Sequence, residues 1–168
     1  VDLDLMVSSN EFSMVGITRP ETLAVVNGRV LIAGQTGAKS KIESYAAGKL
    51  VASKSMDDGF IITQMVESGG RAFLTGRSST GSGLEDFFLH CLQVDGSQLK
   101  ESWSVLTKDL EKSIEIGTSL LPLPDGGVMV GGNFRKSWSL GQSDPLGKLA
   151  VFPANGMGEE NFDSFLAR

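Results

Sequence analysis

One pattern limits what this chain can fold into more than any other: glycine, five residues, glycine, with mostly apolar side chains filling the interval. It occurs at Gly28 to Gly34 (GRVLIAG), Gly70 to Gly76 (GRAFLTG) and Gly126 to Gly132 (GGVMVGG). A further apolar run precedes each copy: TLAVVN, IITQMVESG and TSLLPLPD. The junctions are turn formers. Asn27-Gly28 and Asp125-Gly126 read as type I′ hairpin dipeptides, which need positive φ at the turn, and Ser68-Gly69-Gly70 is permissive in the same way. Each unit therefore opens with a β-hairpin.

A second hairpin follows in every unit. KIESYAAGKLVASKS turns at Ala47-Gly48, DFFLHCLQVDGSQLKESWSVL at Asp95-Gly96, and KLAVFPANGMGEENFDSFLA at Asn155-Gly156. Four antiparallel strands per unit result, over about residues 18–56, 57–108 and 114–168, with residues 1–14 (containing VDLDLMV) adding one strand. The drift in spacing lies mainly between the second and third strands, where a loop accepts insertions. Glycine, at 21 of 168 residues, supplies the turns. Tandem four-stranded units of about 40 to 50 residues are the signature of β-propeller blades. The expected fold class is all-β: about three tandem four-stranded blades in a single propeller-type domain or fragment. Three blades make an incomplete ring, or one closed by a partner, because propellers have typically four to eight. The alternative is a β-sandwich of short strands.

The second unit carries a resemblance. From Asp86 to Trp103 it reads DFFLHCLQVDGSQLKESW, which resembles the propeller repeats of bacterial surface proteins, where an Asp-aromatic strand, an Asp-Gly turn and a Trp-bearing outer strand recur. PLPDGGVMVGGNF with the terminal NFDSF looks like the same family. The likeness covers roughly residues 22 to 168 and is one of fold motifs, which carry no reaction.

Charge narrows the partners. Fifteen Lys and Arg against twenty Asp and Glu leave a net charge of −5, no footprint for phosphate backbones, so nucleic acid is not expected. No apolar run approaches the roughly 20 residues of a membrane-spanning helix. Cys91 is the one cysteine, so no internal disulfide forms. A first residue that is Val means either a removed targeting peptide or a piece of something longer, and an extracytoplasmic or lumenal setting is favoured.

The residue types that carry chemistry argue against catalysis. His90 and Cys91 are neighbours on a strand and point to opposite faces, so they make no dyad. One His and one Cys do not suffice for a zinc site, and no calcium loop accompanies the paired acids, so no metal or cofactor is expected. GRSSTGSG, from Gly76 to Gly83, has Ser82 where a P-loop has lysine. A hydrolase at a propeller centre needs acids on the innermost strands, and TLAVV, FIITQMV and SLLPLP supply none. Residues 106–116 (LTKDLEKSIEI), with Leu106, Leu110 and Ile114 at four-residue spacing, read as a short amphipathic helix.

What remains is an interaction surface. The loops joining the second and third strands, QTGAKSK, RSSTGSGLE and NFRKSWSLGQSDPLG, share one face of a propeller and hold Lys39, Lys41, Arg77, Arg135, Lys136 and Trp138. A basic, hydroxyl-rich rim on an acidic protein suits anionic groups, sugars or an acidic protein surface. The expected function is a non-enzymatic protein-interaction or scaffold module, partnered by other proteins, by the rest of its own propeller or by a second copy of itself. The alternative is a glycan- or anion-binding, lectin-like propeller.

Overall fold

The computed structural model describes residues 16–79, 85–107, 114–135, 149–152 and 162–168. They form three antiparallel sheets, with no helix among the described residues. The first sheet holds β1 (Arg19–Val26), β2 (Arg29–Thr36), β3 (Lys39–Ala46) and β4 (Lys49–Ser55), side by side in chain order. The second holds β5 (Phe60–Ser68), β6 (Arg71–Ser79), β7 (Glu85–Asp95) and β8 (Gln98–Leu106), ordered in the same way. The third holds β9 (Ile114–Pro122), β10 (Val128–Arg135), β11 (Leu149–Phe152) and β12 (Phe162–Ala167), but here the order is β9-β10-β12-β11. The longer terminal strand takes the place beside β10, pairing from Val130 with Ala167 to Arg135 with Phe162, and buries Ala167 in the core. The shorter β11 is left at the edge. The additional strand read at residues 1–14 and the Asn155-Gly156 turn lie outside the described residues.

Several turns follow from backbone chemistry. Asn27 and Gly28 both adopt positive φ (50° and 74°), as a two-residue I′ turn demands. Ala47 does the same at φ 47° beside Gly48 at 75°, although Ala carries a Cβ that this conformation crowds. Asp125-Gly126 departs from the expected I′ dipeptide. Only Gly126 has positive φ, and the connection is wider, closed by Leu123 N–H to Gly127 O (2.9 Å) and Gly126 N–H to Leu123 O (3.0 Å). The helix expected over 106–116 is also corrected where it is described. Leu106 ends β8 opposite Phe88, and Ile114 opens β9 opposite Arg135. The four-residue spacing of apolar residues imitated a helical face, but strand partners were available on both sides.

The recurrent glycine has a steric cause. Each sheet's first strand carries one extra residue: Glu21 in β1, Thr63 in β5 and Thr118 in β9. The register shift falls opposite Gly34/Ala33, Gly76/Thr75 and Gly132/Gly131, so the second glycine of every G-x5-G faces a bulge. A Cβ on Gly34 would lie on the Arg19 carbonyl oxygen, and one on Gly76 on the Ile61 carbonyl oxygen, both far inside contact distance. Glycine in a strand interior here marks the close approach of another backbone.

The core follows from the stacking of the three sheets. Ala24, Val26, Leu31, Ala33 and Ile42 of the first sheet pack against Ile62, Met65, Leu74, Phe88 and Leu92 of the second. On its other side the second sheet sets Phe73, Phe87, Leu89 and Cys91 against Leu120, Val128, Val130 and Phe134 of the third. Both faces of the second sheet are thus covered. The unbroken run Asp86–Leu92 is buried residue by residue, with no alternation of apolar and polar positions.

Replacing Gly76 by Ala is expected to destabilise the fold by about 3 kcal/mol through overpacking against the β5 backbone. Gly28→Ala, at φ 74° with open space around it, should cost about 1 kcal/mol from its dihedral alone. Urea unfolding of the two variants checks the difference. Equal losses would remove crowding by the β5 backbone as the reason for glycine at position 76.

Candidate functional site

Four of the six residues read from the sequence as a rim lie on strands, not in loops. Lys39 and Lys41 belong to β3, Arg77 to β6 and Arg135 to β10; Lys136 and Trp138 lie outside the described residues. The first connection is a two-residue turn at Gly37-Ala38, so little of the expected loop exists there. Lys39, Arg77 and Arg135 do fall where a second strand ends or a third begins. Lys39 and Arg77, however, are bonded to neighbouring acids: Lys39 Nζ to Asp58 (2.9 Å) and Arg77 Nη1 to Glu85 (2.5 Å). Lys41 Nζ reaches Glu43 Oε1 at 2.8 Å, and Tyr45 Oη donates to Glu43 Oε2 at 2.6 Å. These three side chains alternate along β3 on the face turned away from the second sheet. The sequence reading missed fully buried Glu43. Its signal was the alternation Lys41, Glu43, Tyr45, which puts a cation and a phenol beside the acid.

The first strands also hold more acid than their apolar cores suggest, because they extend beyond those cores at one end or the other. Glu21 pairs with Arg19 at 2.6 Å, and Glu67 accepts the Gly70 N–H at 2.8 Å. Buried Glu115 accepts from the Thr107 hydroxyl at 3.0 Å. Each is engaged locally, and they sit at different levels along their strands.

His90 and Cys91 do point to opposite faces. The His90 ring stands edge-on to Phe60 and Phe88, with centroids 5.6 and 5.2 Å away, while Cys91 joins the core toward the third sheet. His90 Nδ1 lies 2.9 Å from Glu101 Oε2, which suits the tautomer donating from Nδ1. Burial pulls the His90 pKa below its ordinary 6.5, with Glu101 opposing. Burial pushes the Cys91 thiol up, away from the reactive thiolate, against the pull of Arg71.

Two clefts open at the hairpin-turn end, opposite the expected rim. One of about 300 Å³ lies between the second and third sheets, lined by Arg71, Trp103, Asp125 and Arg168 among others. Arg168 pairs with Asp125, whose carboxyl is held below its usual range by the Gly127 N–H and by Arg168. The Arg71 guanidinium lies 5.8 Å over the Phe73 ring, which in turn meets Trp103 edge-on at 5.9 Å. Arg71 also lines the second cleft, of about 460 Å³, with Asn27, Gln93 and Asp95.

The contacts between sheets form the most regular feature. Met65 N–H of β5 donates to Thr22 Oγ1 of β1 at 3.1 Å, and Leu120 N–H of β9 donates to Gln64 Oε1 of β5. Thr22 and Gln64 occupy the same register, opposite Ala33 and Thr75, immediately after the bulge. The turns follow suit. Asn27 Nδ2 donates to Gly70 O at 3.1 Å, and a Cβ on Gly69 would lie 2.9 Å from the Gly126 Cα. The returns between sheets match as well: Met56 N–H bonds Ser40 O, and Thr107 N–H bonds Phe87 O, each at 2.9 Å.

Compared with family models, with curated proteins and with solved structures, the chain matches none.

The depressed His90 pKa sets a pH dependence. Between 6.5 and the lower native value the unfolded chain binds the proton more readily, so stability should fall as pH drops through that window and stay level above it. Urea unfolding from pH 5 to 8 measures this. His90→Gln should flatten the slope near pH 6, and an unchanged slope would remove His90 as its source.

Proposed function

We propose that this chain is a non-enzymatic interaction and scaffold module, an arc of three propeller-type blades serving as a segment or subunit of a larger assembly. One observation carries the reading: the hydrogen bond from first-strand N–H to the side chain of the preceding first strand occurs twice at one register. Stacked blades related by a common operation repeat their contacts in this way, because each neighbour meets the next with the same surface. In this reading β1, β5 and β9 are innermost and β4, β8 and β11 lie at the rim. The packing supports it, since β5 runs against β1 and β9 against β5 as well as β6 and β7, while on the outside of the first two sheets the contact narrows to β4 on β8. A two-sheet sandwich buries one face of each sheet, whereas here the middle sheet is covered on both.

The scaffold reading is favoured over anion or glycan capture at the rim by the state of the cations. Lys39, Lys41 and Arg77 already meet carboxylates, which cancels most of the attraction they would offer a phosphate, sulfate or acidic sugar. Fold-level likeness sets no chemistry of its own. The assignment rests on surfaces that hold neighbours.

Spin labels test the arc. Leu23→Cys with Leu121→Cys marks the inner strands of the end sheets, and Ser53→Cys with Ser164→Cys marks strands further out. Buried Cys91 with its raised pKa is a poor competitor for the label. Dipolar distances measured in excess unlabelled protein should be clearly shorter for the inner pair. Equal separations would describe parallel stacked sheets and end the propeller reading.

A further inference from the structure

The two ends of the sheet series are unlike each other and leave opposite halves of one contact open. Residues opposite corresponding positions of the second strands can be compared directly. Met65 of β5 and Leu120 of β9 are 2% and 6% exposed, each packed toward the preceding sheet. The matching residue of β1 is Leu23, opposite Ile32, and it is 62% exposed. The converse holds at the other end. Ala24 of β1 is buried toward the following sheet and Val66 of β5 is half-buried, but the matching residue of β9, Leu121, is 59% exposed.

The polar halves divide in the same way. Thr22 and Gln64 accept the N–H of the following first strand, and the residue in that register on β9 is Ser119, opposite Gly131. Met65 and Leu120 supply the N–H, and their counterpart is Leu23. Among the described residues the Ser119 hydroxyl meets Thr118, at 3.5 Å. Val25 (beside Leu23) is also exposed, and Met129 (opposite Leu121) is half-buried, whereas its counterparts Leu31 and Phe73 are fully covered.

We infer that a second copy of this chain occupies both ends at once, β9 of each copy seated along β1 of the other, with Leu121 on Leu23 and Ser119 accepting the Leu23 N–H. The inference rests on the arc reading above and names its partner. A second copy is the occupant because each end lacks what the other end of the same chain supplies, in continuity with the two contacts already made within the chain. Ile32 and Tyr45 on the far face of the first sheet are already buried, so the contact runs along the first strands, not across that face. Such a head-to-tail contact joins unlike surfaces and closes only if the rotation between copies completes a circle. Two arcs of three sheets give six, within the range in which propellers close. Closure also forms the contact twice, doubling the area that holds the pair against a lone, marginal interface.

Sedimentation equilibrium of the full chain tests this, with a mass of about twice 17.8 kDa expected at micromolar concentration. Leu23→Lys and Leu121→Lys should each shift the chain toward monomer by at least tenfold in dissociation constant, while Leu50→Lys, exposed on β4, leaves the mass unchanged. Circular dichroism verifies that the variants fold, and Val25→Lys replaces Leu23→Lys if that one does not. Mixing the two single variants should restore part of the dimer, because an intact Leu121 end then meets an intact Leu23 end. A wild-type monomer, dimers that survive both substitutions, or a mixture that stays monomeric would each overturn the inference. A monomer that keeps the short inner spin-label distance would sink self-association alone and leave the arc standing.

Discussion

A backbone amide on the first strand of each sheet has no strand beyond it, and leaving such a group buried without a partner costs about 1–3 kcal/mol. Side chains of the preceding first strand supply the missing acceptor, Thr22 for Met65 and Gln64 for Leu120. The rest of the architecture serves that bond. A bulge at Glu21 and Thr63 shifts the side-chain alternation by one residue, which turns Thr22 and Gln64 toward the following sheet while the apolar positions on either side keep their faces. The bulge in turn pushes a carbonyl toward the second strand, where only glycine leaves room. Glycine, bulge, polar side chain and satisfied amide form one causal chain, present between the first and second sheets and again between the second and third.

The second sheet shows what this stacking demands of composition. With neighbours on both faces it has no solvent side, and β7 fills with Asp86-Phe87-Phe88-Leu89-His90-Cys91-Leu92, all buried. Phe88 and Leu92 serve one core and Phe87, Leu89 and Cys91 the other, each large side chain contributing about 1.5–3 kcal/mol of burial. Asp86 and His90 are the polar members of the run. His90 is tolerated because Glu101 takes its Nδ1–H and two aromatic rings pack around the rest.

Local features were legible in the sequence and long-range ones were not. Asn27-Gly28 announces its turn because positive φ is a property of the dipeptide, and the opposed faces of His90 and Cys91 follow from strand geometry alone. The order β9-β10-β12-β11 was not legible, since strand adjacency depends on which of two short segments pairs better with β10, and β11 and β12 carry no local mark of it. The cations of the expected rim misled for a related reason. Lys39 and Arg77 look available along the chain, but Asp58 and Glu85 reach them only after the strands pair. Glu43 and Glu115 escaped notice because burial of an acid is decided by partners on other positions, Lys41 and Tyr45 in one case and Thr107 in the other. The four-residue spacing through Leu106 and Ile114 misled at those two positions, which lie on β8 and β9, because short apolar runs fit both periods until a partner strand is known.

The edges of the sheets are treated in two different ways, and the difference bears on how this protein meets others. The outer strands β4 and β8 are bulged, at Val51 and Ser102, and they display Lys49, Ser53, Lys100 and Glu101 to solvent. Bulges and charge are the usual defences of a strand edge against pairing with a foreign strand. The first strands at the two ends of the series are bulged too, at Glu21 and Thr118, but the residues that follow the bulge carry no charge. β1 presents Leu23 and Val25, and β9 presents Ser119 and Leu121, with no charged side chain among these four. Exposed single apolar residues are ordinary on any surface. These coincide with the register at which the chain joins its own sheets, so the surface left open is the one whose geometry is already in use twice. The edges of β4 and β8 are thus guarded by bulge and charge, while β1 and β9 are left uncharged at the register where the sheets of this chain already meet.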